Sequence, residues 1–150
     1  MPEGGFVKTA LSGFATQTTR ISVSRVAQGQ AAYYILTGIW PLLSRRSFQA
    51  VTGRKRDFWL VQTVGALVGV TGAALATAAR DQRSLESPAI RILGIGSALS
   101  LATIDAVFVG RRRISPIYLA DAAAEVGFVA GWLFARRSVA LVTPAWQQSR

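Results

Sequence analysis

The chain has 150 residues, 51% of them hydrophobic and only 16% charged, yet its formal net charge is +10. A soluble domain is nearer a quarter charged, so the bases must be segregated from long apolar blocks. With neither cysteine nor histidine present, disulfides, thiolate metal sites and histidine-based catalysis are excluded, and no metal or cofactor is expected.

Residues 1–28 form a polar, Ser/Thr-rich tail with Lys8, Arg20 and Arg25 against a single acid, Glu3. Phe6, Ala10, Leu11 and Phe14 mark a weak helical stripe. No long apolar run follows a basic start, so a secretory signal is not indicated, and the tail is expected at the membrane interface. The first apolar block, Ala31 to Leu43, reaches spanning length only if extended back to Val26, giving a span of about 26–43. Tyr33, Tyr34 and Trp40 carry amphipathic rings that favour bilayer interfaces. Pro41 is placed where the helix kinks or stops.

Residues 44–57 are a basic connection in which Phe48 and Val51 have helical spacing. A short interfacial helix ending at Gly53 follows from that. Phe58 to Ala79 is an uncharged run of 22 residues and the clearest span. After the connection Arg80 to Pro88, a third span occupies 89–110, with Arg91 one turn inside its start and Asp105 near its end. The loop 111–115 is short. Pro116 suits the first turn of a fourth span, 116–135, whose polar residues are Asp121 and Glu125. Residues 138–150 are too short to span and are assigned to a surface tail.

Short connections make neighbouring spans antiparallel, and the predicted fold is all-α, a membrane-spanning antiparallel four-helix bundle over residues 29–137. The two loops 44–57 and 111–115 then lie on one side. They hold Arg45, Arg46, Arg54, Lys55, Arg56, Arg111, Arg112 and Arg113, bases that meet anionic headgroups and set topology. The positive-inside rule points these loops to the cytoplasm, in a bacterial cytoplasmic membrane. Because the basic clusters flank apolar blocks, no nucleic-acid partner is expected.

Lipid is as apolar as leucine, so helices in a bilayer associate through close backbone approach and polar contacts. Two rows of small residues fit that need: Gly65, Gly69, Ala73 and Thr77, and Ala123, Gly127, Gly131 and Ala135. Packing within the chain is the first reading of these rows; a homo-oligomer or larger membrane complex is the second.

Acids inside a span cost at least ~2.5 kcal/mol each, which singles out Asp105, Asp121 and Glu125. Asp105 lies five residues before the end of the third span and Asp121 five residues into the fourth. Each is therefore ~7.5 Å inside the basic-loop end at 1.5 Å per residue. Glu125 is one turn deeper than Asp121, Gln62 reaches the same layer from the second span, and Tyr118 can line its entrance. Carboxylates this close in a low dielectric cannot all stay ionised, unless Arg45, Arg46 or Arg56 turns inward. Two uses remain open: hydrogen bonding across helices, or holding a proton, a cation or a small ligand.

The stretch Gly38 to Gly65, with Trp40, Pro41, Arg46, Ser47, Phe48, Val51, Thr52, Gly53, Lys55, Asp57, Trp59, Leu60 and Gly65, resembles a block in a group of small uncharacterised bacterial four-helix membrane proteins. The resemblance covers about a fifth of the chain and is loosely extended by Arg113 to Glu125. It implies a membrane location and a four-helix plan, and no catalytic residue. DoxX-like proteins and sterol-binding four-helix families share that plan, but no motif places the chain in either. The functional expectation is a non-enzymatic accessory subunit or a binder of a small lipophilic molecule. A proton- or cation-coupled transporter component acting as an oligomer is the alternative, and a lipid-modifying enzyme using paired carboxylates ranks last.

Overall fold

A computed structural model describes residues 22–135; the N-terminal tail up to residue 21 and the C-terminal stretch from residue 136, including the surface tail assigned to 138–150, lie outside the described residues. Everything regular among the described residues is helical. Four long helices, α1 (Val23–Leu43), α3 (Phe58–Ala78), α5 (Pro88–Gly110) and α6 (Tyr118–Phe134), alternate with two short ones, α2 (Arg45–Thr52) and α4 (Gln82–Glu86).

Local chemistry sets the ends of these helices. The Ser22 hydroxyl accepts from the Arg25 amide and starts α1 earlier than the apolar pattern implies, so residues 23–28 belong to the helix rather than to the tail. Pro41 is carried within α1, which runs on to Leu43. Ser44 caps α2, and Gly53 ends it at φ +84°, a left-handed conformation that glycine adopts without steric cost. Asp81 caps α4 through the Arg83 and Ser84 amides. The Ser84 hydroxyl and these amides hold its carboxyl below the usual range. That contribution is present above the ordinary aspartate pKa and is lost as pH falls through the depressed one. Pro88 occupies the first turn of α5, whereas Pro116 stays in the turn before α6, which starts at Tyr118.

The main helix pairs are α1 with α3 and α5 with α6, joined by α1 against α6. Gly38 faces Gly65 and Gly69, Gly72 faces Ala31 and Tyr34, and the Ser24 hydroxyl donates to the Ala79 carbonyl, so α1 and α3 run in opposite directions. Val26 against Gly131 and Tyr34 against Glu125 give the same sense for α1 and α6. Gly94 against Trp132 and Asp105 against Asp121 give it for α5 and α6.

The α1–α3 contact is a backbone approach. A Cβ on Gly65 would stand 2.6 Å from the Gly38 carbonyl oxygen, and one on Gly38 would stand 2.5 Å from that of Gly65. The contact stripe on α3 differs from the predicted row of every fourth residue. Gly65, Gly72, Leu75 and Ala78 are buried, while Ala73 and Thr77 are exposed. Each step of four overshoots a full turn by about 40°, so a strict row rotates off a face that alternating steps of three and four keep in place. On α6 the same drift leaves Ala123 and Gly127 exposed, while Gly131 of that row meets α1 at Val26.

Polarity is inverted relative to a soluble domain. The buried set is rich in alanine (Ala27, Ala31, Ala78, Ala98, Ala102, Ala122) and includes Gln30, Asp105 and Glu125. The large aliphatic side chains point outward, among them Leu36, Leu67, Val70, Ile92, Leu99 and Val126.

The glycine contact generates a paired test. Gly65→Ala is expected to lose about 1–3 kcal/mol through overpacking. Gly127→Ala, where an added Cβ meets nothing within 4 Å, is expected to melt at or slightly above the parent temperature. Thermal unfolding of the two purified variants checks both.

Candidate functional site

The polar interior is built from α1, α5 and α6. On α1, Gln30 and Tyr34 are one turn apart, share a face and are fully buried. Trp132 of α6 has an indole N–H that can only donate, and it reaches Gln30 Oε1 at 2.7 Å. That contact fixes the amide orientation. Gln30 Nε2 then donates to the Gly94 carbonyl at 2.8 Å and to the Tyr34 hydroxyl at 3.0 Å. With its oxygen already accepting, Tyr34 sends its own proton to Glu125 Oε2 at 2.8 Å. The Ser97 hydroxyl lies 3.3 Å from the Tyr34 hydroxyl oxygen. The chain of donors is thus directional, running from Trp132 through Gln30 and Tyr34 to a carboxyl that is 1% exposed.

One turn nearer the basic-loop end sits a second group. The adjacent residue on α1, Tyr33, donates to Asp121 Oδ1. Asp121 in turn stands against Asp105 of α5. Asp105 is 6% exposed, and its Oδ2 has no hydrogen-bond partner among the described residues. Phe128 packs against both tyrosines, with ring centroids 5.6 Å from Tyr33 and 6.5 Å from Tyr34.

The structure brings Asp105, Asp121 and Glu125 to one side of α1. Gln62 is half-buried on α3, and none of the cluster's hydrogen bonds reaches it. Tyr118 is turned toward the basic loops: its hydroxyl bonds the Thr52 side chain, and Lys55 Nζ lies 5.0 Å from its ring centroid. Lys55 also donates to the Thr52 carbonyl at 3.1 Å, and burial pushes its ammonium pKa down. The arginines offered as inward counter-charges do not take that role. Arg45, Arg46 and Arg56 are exposed, and Arg45 lies over the Phe58 ring, 4.8 Å from its centroid. Phe48 joins this outer aromatic group, edge-on to Trp40 and to Phe58. No grouping of three or more acids close enough to hold a metal ion occurs among the described residues.

Sequence reasoning missed Gln30, Tyr33, Tyr34 and Ser97 as members of the cluster. The amphipathic rings of the tyrosines point to a bilayer interface, but they suit a buried hydrogen bond equally well. In a helix starting at Val23 they lie mid-length. The usable signal was the Gln30–Tyr34 spacing of one turn inside an otherwise apolar stretch. Two crevices lie beside the acidic layer rather than within it. One, of about 210 Å³, is at the far end beside Val23, Gln82, Leu85, Arg91 and Trp132. The other is an open groove of about 350 Å³ between α1 and α3.

No protein-family model, no curated protein and no solved structure matches this chain.

The directional network predicts strong coupling between its ends. Gln30→Leu leaves the buried Trp132 N–H without a partner and removes a donor to the Gly94 carbonyl and to Tyr34, and is expected to cost about 1–3 kcal/mol. Trp132→Phe made on that background is expected to recover part of the loss. A double-mutant cycle by equilibrium unfolding reads the coupling, which should reach at least ~0.5 kcal/mol for groups in one network.

Proposed function

We propose that this chain is a small polytopic integral membrane protein whose four long helices cross a bilayer as an antiparallel bundle. It acts without enzymatic chemistry, as an accessory subunit or as a binder of a small lipophilic molecule, with Asp105, Asp121 and Glu125 as its intramembrane polar layer. The observation that carries this reading is the inverted polarity: carboxyls and an amide inside, large aliphatic side chains outside. In water such a surface would be an aggregation site; in lipid it is the solvated face.

Two helices, α3 and α5, are long and apolar enough to cross a membrane, and only 22% of each apolar window is buried within the protein. A core helix of a soluble domain would be mostly covered. Of the other two long helices, α1 carries Gln28 and Gln30 and has the lowest mean hydropathy of the four, whereas α6, with Asp121 and Glu125, is as apolar as α3 and α5 and is only shorter. Gln30 and Glu125 are turned inward, so the surface those helices offer to lipid is more apolar than their composition suggests. At 17 residues, α6 would reach about 26 Å at 1.5 Å per residue, slightly under a ~30 Å hydrocarbon core. The basic stretch Arg111 to Arg113 before it lets its end sit at headgroup level.

The Lys55–Tyr118 contact brings the basic loop 44–57 against the start of α6, the helix that follows the basic loop 111–115. By the positive-inside rule that end faces the cytoplasm of a bacterial cell. The outward Ala123 and Gly127 of α6 leave room for a second copy of the chain or for a larger membrane complex. A proton- or cation-coupled role is the second reading, favoured by the unpartnered Asp105 oxygen.

Since the chain has no cysteine, single-cysteine variants map topology directly. Ala50→Cys and Arg113→Cys are expected to react with an impermeant maleimide from the same face of the membrane, and Arg83→Cys from the other. The protein should also stay in the pellet on alkaline carbonate extraction. Labelling of positions 50 and 113 from opposite faces, or release of the protein by carbonate, rejects the reading.

A further inference from the structure

We infer that the ligand of the acidic layer is a single exchangeable proton, carried by Asp105 and shared with Asp121 at the basic-loop end of the bundle. The inference rests on the membrane reading above and names what its polar layer holds.

The geometry assigns the proton by elimination among donors. Asp121 already accepts from Tyr33 on Oδ1. Asp105 meets Asp121 carboxyl to carboxyl, and two carboxylates have no hydrogen to place between them. One of the pair must carry it. Asp105 Oδ2 is the buried oxygen left without a partner, so a proton on Asp105, donated to Asp121, is the arrangement that satisfies all the groups present. Asp121 then accepts from both Tyr33 and Asp105.

The groups facing the pair are few. From α1 they are Tyr33 and Tyr34, both neutral phenols. From α6 they are Glu125, one turn deeper, and Tyr118 above. The loop before α3 adds Lys55, whose contact is with the Tyr118 ring rather than with either acid. α3 has no ionisable side chain between Phe58 and Ala78. On α5 the other charge is Arg91, at the far end. No cation therefore replaces the proton.

Access is one-sided. The pair lies about 7.5 Å from the basic-loop end of α5 and about 4.5 Å from that of α6 at 1.5 Å per residue, behind Tyr118 and Lys55. Toward the opposite end the path is filled by the Tyr34–Gln30–Trp132 hydrogen bonds. An amide and an indole cannot pass a proton on without breaking those bonds. The device is a proton-holding site open to one face, suited to reporting or buffering the acidity of that side.

Infrared difference spectroscopy on the full chain in liposomes tests this. At neutral pH the carbonyl band of a protonated carboxylic acid should be present. It should shift on transfer to deuterium oxide and fade as pH rises. It should vanish in Asp105→Asn and persist in Glu125→Gln. Carbodiimide labelling of the unmodified protein, mapped by mass spectrometry, should find Asp105 and weaken as pH rises, which keeps the test independent of how any variant folds. The assignment is overturned by a band that belongs to Glu125, by a band that does not exchange, or by carbodiimide labelling that leaves Asp105 untouched. Any of these in protein that resists carbonate extraction overturns the proton assignment alone; release by carbonate overturns the membrane reading.

Discussion

A carboxyl at the centre of a helical bundle has to be given a donor, and in this chain the donor is a phenol. The bond from Tyr34 to Glu125 constrains the rest of the interior. For Tyr34 to donate to Glu125, its oxygen must accept from elsewhere, and Gln30 supplies that hydrogen. For Gln30 to point its amine at Tyr34 and at the Gly94 carbonyl, its oxygen must face a pure donor, and Trp132 supplies one. The identity of each residue is thus dictated by the hydrogen-bonding capacity of the next. The same bonds tie α1, α5 and α6 together without requiring a large apolar core. That requirement could not be met in any case, because the buried apolar positions are mainly alanines.

The backbone geometry serves this interior. Alanines and glycines at the contacts let the helices come close, and closeness brings side chains as short as aspartate into contact across α5 and α6. The Gly38–Gly65 approach does the equivalent for α1 and α3. It sets α1 at a fixed height, with Tyr33 level with Asp121 and Tyr34 level with Glu125. Bulkier side chains at the interfaces would separate the helices and strand the carboxyls. Small residues and buried acids are therefore two parts of one design, in which van der Waals contact between backbones permits the polar contacts and the polar contacts specify the register.

Much of this was legible from the residues. The apolar blocks located the four long helices to within a few residues, because charge punctuates them so sharply. Gly53 ended α2 because the left-handed turn needs glycine. The depth comparison that placed Asp105 level with Asp121 used only rise per residue and a short loop. What the sequence hid has physical causes. The start of α1 was masked by Ser24, Arg25 and Gln28, polar residues that are compatible with a helix and lie outside the apolar run. Tyr33 and Tyr34 were sent to an interface because a tyrosine ring suits both a headgroup region and a buried hydrogen bond. Only the partner decides, and the partner is some ninety positions away. The rows of every fourth small residue were drawn correctly on the helix surface, but they wind off the contact face.

The two carboxyl groups of the interior differ in a way that bears on function. Glu125 accepts from the Tyr34 phenol on Oε2, inside a network that joins three helices. Changing its protonation would disturb contacts on three helices at once. Asp105 ends its group with an oxygen that has no hydrogen-bond partner among the described residues. A structural acid is expected to be fully satisfied, since an unmet buried acceptor is costly. The asymmetry therefore separates the roles: Glu125 belongs to the framework that sets helix register, and Asp105 is the position whose occupancy can change while that framework stays in place.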